Sequence, residues 1–356
     1  MGLLRLIFAR TMRIQSILGV ALLAVVGVTV VGLDLLARND GLAAWLEHRE
    51  AAFCRKAKIS FWNAGYFADA EDRLLNEELP AADYSKGGVY LMGASNVRAA
   101  AGFWDLPIPQ RRLIHNYAIS RSSHTDKFQF VRYLTEHDGW LRAGGEKTLL
   151  ILGVSYGEVI FKHDPEGYFE KLWERHGLYA YDPDQGIIPL TMNPARRFLH
   201  FERVRIAGCL TKLKYFLIEE ARLYKGVKHV NWREINSHEE PQPSLSEREW
   251  EVDLRDQLSE FRNMLDYITA RNVHVAVVML PYGSWEEKSD FTRTYAAEMS
   301  EICKSRGIQL CDWGRLLEDD DFDDSCHPNI FGADKLQSAF LGIALPFLRS
   351  TGVLGD

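Results

Sequence analysis

Hydrophobic positions along the chain fall into short apolar runs separated by longer amphipathic stretches. The short runs are bounded by glycine or polar residues, which is typical of strands buried on both faces. Five of them predict strands at residues 88–92, 112–119, 147–153, 273–280 and 307–311. Apolar residues at helical spacing predict helices that include 125–137, 246–271, 291–305 and 332–348. This alternation indicates an α/β fold, with a parallel sheet and helices on both faces.

The N-terminal part of the chain contains a much longer apolar run, at residues 17–36, whose only charge is Asp34. Its length suits a helix that crosses a bilayer. Arginines precede the run, at Arg5, Arg10 and Arg13, so the positive-inside rule places the N-terminus in the cytoplasm and the remainder outside it. A cleaved signal peptide is the alternative, but the length of the run favours an uncleaved anchor.

These patterns predict the organisation of the whole chain. The expected parts are a cytoplasmic N-terminus (1–16), a transmembrane anchor (17–37), a juxtamembrane helical linker (38–85) and a main domain (86–350). Within the main domain, residues 160–245 break the strand–helix rhythm and are rich in aromatic, basic and turn residues. We expect an insertion there, over the carboxyl ends of the strands, where a lid or a docking surface would lie.

Charge and cysteine content narrow the functional classes. A net charge of −7 over 356 residues, without a basic cluster, argues against nucleic-acid binding. The five cysteines lack metal-ligand spacing, and no phosphate-binding signature is present, so we expect neither a metal ion nor a cofactor. Cys303 and Cys311 form a candidate disulfide if the compartment is oxidising.

The candidate chemistry begins at Ser95, which follows the first predicted strand. A serine nucleophile needs a histidine base that is oriented by a third group. Asp324 and His327, close together in a loop after the fifth strand, supply both. Loops at 120–122 and at Ser155 follow the second and third strands, so all these residues are predicted to meet at one edge of the sheet. The alternative is that Ser95 serves only as a helix N-cap.

Two sequence blocks resemble the SGNH (GDSL-like) hydrolase superfamily. Gly93-Ala94-Ser95-Asn96 is similar to its nucleophile block, and Asp324-Ser325-Cys326-His327-Pro328 to its final D-x-x-H block. The resemblance covers residues 88–348 without the insertion. It implies a flavodoxin-like three-layer sandwich with a five-stranded parallel sheet. It also implies that Ser95 is the nucleophile, His327 the general base and Asp324 its orienting partner.

The middle blocks of the superfamily are only partly retained. The second block, usually N-x-G-x-S-G, keeps Asn116 and Ser120 but has Ala118 and Arg121 at the glycine positions. The third block, G-x-N, ends in Ser155 instead of the oxyanion asparagine. The resemblance then implies an oxyanion hole made from the Ser95 and Arg121 backbone N–H groups and the Ser155 hydroxyl. Asn96 and Ser120 are the remaining oxyanion or substrate-binding candidates.

An N-terminal anchor followed by an SGNH-like domain with degenerate middle blocks resembles the DltD-like proteins of teichoic-acid D-alanylation and the alginate O-acetylation proteins. This resemblance implies a membrane-bound O-acyltransferase partner, an acyl-serine intermediate and a glycan or polyol acceptor. The acyl group remains open between acetyl, D-alanyl and longer chains. The alternative is a catalytically decayed domain that binds glycan or acts as a scaffold within an acyltransferase complex.

Several other polar residues receive provisional interpretations. His115 and His274 lie in apolar strands and are predicted to be core histidines. His124 and Glu158 lie in loops at the functional edge and are candidates for substrate contact. Cys326 is a weaker candidate nucleophile, and Asp323 competes with Asp324 for the orienting role. The acidic run 318–321 is predicted to be a solvated loop.

Overall fold

A computed structural model describes residues 19–22, 24–29, 31–32, 40–57, 71, 74–79, 82–137, 139–140, 145–160, 179–182, 186–189, 247–284, 290–322 and 326–354. Several predicted features lie wholly or partly outside these residues: the N-terminus 1–16, the anchor 17–37, the linker 38–85, the insertion 160–245, and the two orienting candidates Asp323 and Asp324.

The strands fall into two sheets. The main sheet contains β1 (Gly88–Met92), β2 (Ile114–Asn116), β3 (Thr148–Val154), β6 (His274–Met279) and β7 (Gln309–Asp312). The second sheet is an antiparallel pair within the predicted insertion, formed by β4 (Tyr179–Asp182) and β5 (Gly186–Pro189).

Helices connect and cover the main sheet. The described helices are α1 (Asp40–Ala57), α2 (Ser95–Ala100), α3 (Ile108–Arg111), α4 (His124–Glu136), α5 (Gly157–Ile160), α6 (Glu247–Thr269), α7 (Asp290–Ser305) and α8 (Ile330–Ser350). Short 3-10 turns at Tyr84–Lys86, Gly145–Lys147 and Asp319–Asp321 and a π turn at Leu74–Glu78 complete the list.

All neighbouring strands of the main sheet are parallel, in the order β2-β1-β3-β6-β7. Counted along the chain this is the flavodoxin-like order 2-1-3-4-5, which has its switch point between β1 and β3. The predicted five-stranded parallel sheet is therefore confirmed. Strand β2 is shorter than predicted because Asn116 ends it: its side chain accepts from the Ala118 amide and donates to the Ala101 carbonyl.

Alternate strand residues enter two separate cores. Tyr90, Met92, Leu150 and Leu152 pack with α4, α6 and α7 on one face of the sheet. Val89, Leu91, Leu149 and Ile151 pack with α2 and α8 on the other face. This period of two is the pattern of strands that are buried on both sides. The chain therefore forms the predicted three-layer sandwich.

The N-terminal apolar segment is helical at the described positions between residues 19 and 32. Its valine and leucine side chains are exposed, among them Val20, Leu22 and Val28. Within the described part of the chain, no helix is long and apolar enough to cross a membrane. The anchor at 17–37 stays a prediction.

The predicted linker is docked on the main domain through α1. Arg55 forms ion pairs with Asp105, at 2.7 Å, and with Asp334, at 2.9 Å. Asp105 follows α2, and Asp334 lies in the first turns of α8. Ala51 and Cys54 are fully buried. Helix α1 is thus attached both to the segment after Ser95 and to the segment after His327.

Two expectations about individual side chains are wrong. His274 is exposed, because it lies at the start of β6 with its ring against Phe347 at 5.2 Å. Cys303 and Cys311 are free thiols, Cys303 in the core and Cys311 half-buried on β7. His115 is half-buried and stacks on Tyr90 at 4.8 Å, so it lies at the margin of the core.

The strands β1 and β3 end in two glycines that share one neighbour. A Cβ added at Gly93 or at Gly153 would overlap the Cγ2 methyl of Val97. At Gly93 the added atom would also lie 2.9 Å from the Val97 Cβ and 3.0 Å from the Gly153 carbonyl oxygen. Glycine at both positions therefore lets α2 lie directly against the two strand ends.

This arrangement predicts different outcomes for two similar substitutions. Gly153→Ala should lower the free energy of unfolding by about 2 kcal/mol, as expected when a packed core is overfilled. Adding Val97→Ala should recover part of that loss, because the overlapping methyl is removed. Gly93→Ala should not be recovered, since the Val97 Cβ and the Gly153 carbonyl remain. Denaturant unfolding of the detergent-solubilised chain measures all these variants, and equal recovery in both glycine backgrounds would contradict the packing described here.

Candidate active site

Ser95 begins helix α2, three residues after the end of β1. The residue that caps α2 is Ala94, with φ −86° and ψ −163°, and the cap has no side-chain hydrogen bond. The interpretation of Ser95 as only an N-cap is therefore wrong. Its half-buried side chain is available for another contact.

His327 lies in the segment between the 3-10 turn Asp319–Asp321 and α8. Asn329 caps α8 by accepting from the amides of Phe331, at 3.0 Å, and Gly332, at 3.2 Å. The Asn329 amide group also donates to the Asp320 carbonyl at 2.6 Å. The position of His327 is thus set from both sides, by the helix cap and by the acidic turn.

The acidic run 318–321 is solvated only in part: Glu318 and Asp320 are exposed, as expected, but residues 319–321 form a 3-10 turn whose last residue is buried. Asp321 is only 6% exposed and forms an ion pair with Lys335 of α8 at 2.6 Å. The same carboxylate accepts from the Glu318 amide at 2.8 Å. Paired in this way, Asp321 fastens the turn to the helix that follows His327.

The structure brings Ser95 and His327, which are 232 positions apart in the sequence, into hydrogen-bond contact. His327 Nε2 lies 2.8 Å from Ser95 Oγ, within the range of an O–H···N hydrogen bond. A neutral imidazole whose Nδ1 carries the proton leaves Nε2 free to accept from the serine hydroxyl. This is the geometry of a nucleophile and its general base.

On the other side of the imidazole ring, Cys326 Sγ lies 3.6 Å from His327 Nδ1. Cys326 therefore neighbours the base, on the side opposite Ser95. Asp324, which is predicted to orient His327, lies outside the described residues, as does Asp323.

The second loop is attached directly to the strand that carries Ser95. The Gly93 carbonyl accepts from the Ile119 amide at 2.9 Å and from the Ser122 hydroxyl at 3.2 Å. Arg98, buried on α2, donates from Nε to the Ala118 carbonyl at 2.6 Å. These bonds hold the loop against the start of the Ser95 helix.

Within this loop Arg121 adopts a left-handed backbone conformation, with φ +57°. Only glycine adopts this region without a steric penalty, which is roughly 1–2 kcal/mol for other residues. The loop thus keeps the backbone course of the glycine that the resemblance expects, although arginine occupies the position. The Arg121 side chain is exposed, and the oxyanion role of its backbone N–H stays a prediction.

The remaining oxyanion and substrate-binding candidates have different surroundings. Ser155 is half-buried directly after β3. Asn96 is 8% exposed, and its side-chain oxygen accepts from the Val97 amide at 3.0 Å. Ser120 is 7% exposed, and its amide donates to Glu71 Oε1 at 2.6 Å. Asn96 and Ser120 therefore shape the local backbone, whereas Ser155 lies at the edge.

His124 and Glu158 do not lie in accessible loops. Both side chains are fully buried, His124 at the start of α4 and Glu158 in α5. They face each other, with His124 Nδ1 at 3.4 Å from Glu158 Oε2. The expectation of substrate contact is wrong for both, because both side chains lie in the interior and face each other instead of the sheet edge.

Sequence reasoning missed three residues that support the site. Glu71 holds the Ser120 amide, Arg98 holds the Ala118 carbonyl, and Lys127 donates to the Gly153 carbonyl at 3.2 Å. All three are charged residues that are at most 4% exposed. Of these three residues, only Lys127 has a signal in the sequence, because it is a lysine on the apolar face of a predicted helix.

Comparisons with known proteins give distant similarities. No family model and no curated protein matches the sequence. Among solved structures, a proposed acylhydrolase from Bacteroides fragilis is 12% identical, with 78% of this chain and 97% of that chain covered and a TM-score of 0.38. A GDSL-like lipase from Bacteroides thetaiotaomicron is 10% identical over 78% of this chain and 97% of its own, with a TM-score of 0.39. An acetyl xylan esterase is 11% identical over 71% and 98%, with a TM-score of 0.34. At these scores the similarities establish neither the family nor the activity of the chain.

The conformation of Arg121 yields a test of how this residue contributes. Arg121→Gly should raise the free energy of unfolding by about 1 kcal/mol, because glycine adopts φ +57° without the steric penalty. It should leave the reactivity of Ser95 within a few-fold of the original, since the backbone N–H is kept. Thermal unfolding and the rate of fluorophosphonate labelling measure the two effects. A loss of labelling beyond tenfold would assign the contribution to the guanidinium instead.

The neighbours of His327 predict a contrast between two further variants. His327→Ala should slow labelling of Ser95 by at least about 100-fold, the scale of general-base catalysis. Cys326→Ala should change the labelling rate by less than about threefold, since a thiol is a weak hydrogen-bonding group. If the cysteine variant were as slow as the histidine variant, Cys326 would be part of the reacting group.

Proposed function

We propose that the chain is a membrane-anchored, extracytoplasmic serine O-acyltransferase or esterase of the SGNH hydrolase type. It acts through an acyl-serine intermediate on a cell-surface glycan or a teichoic-acid-like polymer. The observation that carries this proposal is the 2.8 Å contact between Ser95 Oγ and His327 Nε2 at the carboxyl edge of the sheet.

The position of this contact supports a catalytic role for it. Ser95 follows β1, and Ser155 follows β3, the two strands at the switch point of the sheet. Ligands of open parallel sheets bind outside the carboxyl ends of the strands at such a point. Acyl transfer requires a serine and a histidine in hydrogen-bond contact at such a place, and here the fold brings the two together from distant parts of the sequence.

In the proposed first step, His327 Nε2 takes the proton of Ser95 as Oγ attacks the acyl carbonyl carbon. The tetrahedral intermediate then collapses, the bond to the leaving oxygen breaks, and His327 returns the proton to that oxygen. In the second step, His327 deprotonates an acceptor hydroxyl as its oxygen attacks the acyl-serine ester. The second tetrahedral intermediate collapses, the bond to Ser95 Oγ breaks, and His327 Nε2 returns the proton to that oxygen. A glycan or polyol hydroxyl as acceptor makes the reaction a transfer, and water makes it a hydrolysis.

The negative charge of each tetrahedral intermediate needs preorganised donors. The Ser95 and Arg121 backbone N–H groups and the Ser155 hydroxyl fill this role in the proposal. A hydroxyl rotates more freely than the side-chain amide of asparagine, so the Ser155 donor is less fixed. Loss of one oxyanion donor costs about 100- to 1,000-fold in rate. We therefore propose a slow esterase whose transfer reaction is completed by a partner.

The proposed partner is a membrane-bound O-acyltransferase, as in the DltD-like and alginate O-acetylation proteins that the sequence resembles. The exposed valines and leucines of the N-terminal segment suit insertion into lipid. The docking of α1 through Arg55 would hold Ser95 at a fixed place relative to that segment. An anchored site of this kind can receive an acyl group from a donor in the membrane.

The proposal is tested with the detergent-solubilised full-length chain and its Ser95→Ala variant. We expect slow p-nitrophenyl acetate turnover and a covalent fluorophosphonate adduct on Ser95, found by mass spectrometry of the intact chain and its peptides. The variant should lose both, because the nucleophilic oxygen is absent. Ser338→Ala is the matched control, since it removes a serine hydroxyl that bonds only the Asp334 carbonyl within α8 and leaves the nucleophile in place.

A wild-type chain without adduct or Ser95-dependent turnover would contradict catalysis by this chain alone. Repeating the measurement with a co-expressed membrane-bound O-acyltransferase then separates the two remaining cases. Labelling restored by the partner means that the partner completes the site. Labelling still absent means that the domain is decayed and acts as a glycan-binding or scaffold subunit.

A further inference from the structure

A cluster of buried polar side chains lies behind the strand ends that carry the candidate site. It consists of Lys127 and His124 of α4, Glu158 of α5 and Tyr295 of α7. Their exposed fractions are 2%, 0%, 0% and 3%. Lysine and glutamate are rarely buried this completely, because removing a charge from water is costly unless the charge is paired. The proposed reaction uses none of these four residues.

The four side chains form a connected chain of contacts. Lys127 Nζ lies 2.5 Å from Glu158 Oε2, and His124 Nδ1 lies 3.4 Å from the same oxygen. His124 Nε2 is 3.3 Å from the Tyr295 hydroxyl. A neutral His124 with its proton on Nδ1 lets Nε2 accept from the Tyr295 hydroxyl, while Nδ1 faces Glu158 without a hydrogen bond.

Burial dominates the electrostatics of the cluster. It raises the pKa of Glu158 to about 7, opposed by the Lys127 ammonium and by the Ser155 backbone amide. Burial lowers the pKa of Lys127, opposed by the Glu158 carboxylate. Burial and the Lys127 charge together hold the pKa of His124 well below its usual range. Burial thus works against the charged forms of Lys127 and Glu158, and their 2.5 Å contact works in favour of them, beside a neutral histidine.

One end of the cluster reaches the backbone of the third loop. Lys127 Nζ donates to the Gly153 carbonyl at 3.2 Å, the oxygen that also faces Gly93. The Glu158 amide donates to the Ser155 carbonyl at 3.2 Å. Lys127 thus holds the Gly153 end of the three-residue segment 153–155, and the backbone amide of Glu158, the residue that Lys127 pairs with, closes the turn at the Ser155 end.

The same cluster is continuous with the second loop. Lys127 and His124 lie in the first turns of α4, which Ser123 caps in a capping box with Asp126. The preceding residue, Ser122, donates its hydroxyl to the Gly93 carbonyl at 3.2 Å. Helix α4 therefore connects the second loop, the nucleophile turn and the third loop through buried polar contacts.

We propose that Lys127 is a positioning residue for the acyl-serine site, which fixes the Gly153 carbonyl and, through Glu158, the turn that presents Ser155. The inference rests on the proposed function and deepens it. An asparagine side chain can direct its amide at an oxyanion. The side chain of serine does not direct its hydroxyl in this way. The placement of the hydroxyl depends on the backbone of residues 153–155, which Lys127 holds at the Gly153 carbonyl and the Glu158 amide holds at the Ser155 carbonyl.

A purely structural ion pair is the competing explanation, and a paired substitution separates the two. Lys127→Met or Glu158→Leu alone leaves one buried charge without its partner, so each should unfold at a markedly lower temperature. The double variant removes both charges and should recover most of that temperature, because apolar residues often replace a buried ion pair without loss. Stability and catalysis can therefore be read separately in the double variant.

We expect the folded double variant to hydrolyse p-nitrophenyl acetate with kcat lowered by about 10- to 100-fold and KM changed by less than about twofold. The reason is that a misplaced oxyanion donor affects the transition state and not substrate binding. The control is Arg262→Met/Glu298→Leu, which removes a half-exposed ion pair between α6 and α7 with a 2.9 Å contact. It should leave both constants unchanged.

Each result decides the proposal. A folded double variant with wild-type kcat, or with only KM raised, overturns it and leaves the cluster a stabilising role. Should the doubly apolar variant not fold, Lys127→Met/Glu158→Gln replaces it, because glutamine keeps a neutral polar group facing His124.

Absence of Ser95-dependent turnover in the wild-type chain defeats the proposed function, and this inference falls with it. Ser95-dependent turnover in the wild type, unaffected in the double variant, defeats this inference alone.

Discussion

The close approach of the ends of β1 and β3 is the constraint on which the candidate site depends. Gly93 and Gly153 have no side chains, so Val97 can pack over both strand ends at once. Helix α2 then starts directly at the sheet edge, and Ser95 is its first residue. The Gly93 carbonyl in turn holds the second loop, and the Gly153 carbonyl holds Lys127. A side chain at either glycine would change all of these contacts together.

The loops around this point are held mainly by charged residues that have been removed from water. Glu71, Arg98 and Lys127 each bind a backbone group of a site loop and are each almost completely buried. A buried charge–backbone hydrogen bond is stronger than a neutral one, and it is more damaging to lose. The fold thus accepts the cost of desolvating three charges at the place where loop geometry matters most for acyl transfer.

The fold was largely predictable from the sequence because buried parallel strands correspond to short apolar runs. All five strands and helices α4, α6, α7 and α8 were found, with boundary differences of a few residues. Strand β2 was predicted too long, since the side-chain bonds of Asn116 that end it have no signature in hydrophobicity.

The site was predictable only in part. Ser95 and His327 were identified because their blocks are local in sequence, and the structure places them in contact. His124 and Glu158 were taken for accessible residues, because a polar residue after a strand looks the same whether it faces solvent or a buried lysine. The left-handed conformation of Arg121 contradicts the usual preference of its residue type, and its one signal in the sequence is the glycine that the resemblance expects at this position. The contacts that support the site join segments that are distant in sequence, so they produce no periodic pattern of hydrophobic residues that could predict them.

The docking of α1 gives the proposed anchored protein a spacer of defined length. At about 1.5 Å per residue, the 18 residues of α1 span about 27 Å. Near the end of α1, Arg55 forms ion pairs with the segments that follow Ser95 and His327, so the orientation of α1 relative to the main domain is fixed. Only a short stretch of chain separates α1 from the apolar segment. Under the proposed anchoring, the height of Ser95 above the bilayer is therefore bounded, and an acceptor polymer has to come within that height to be modified.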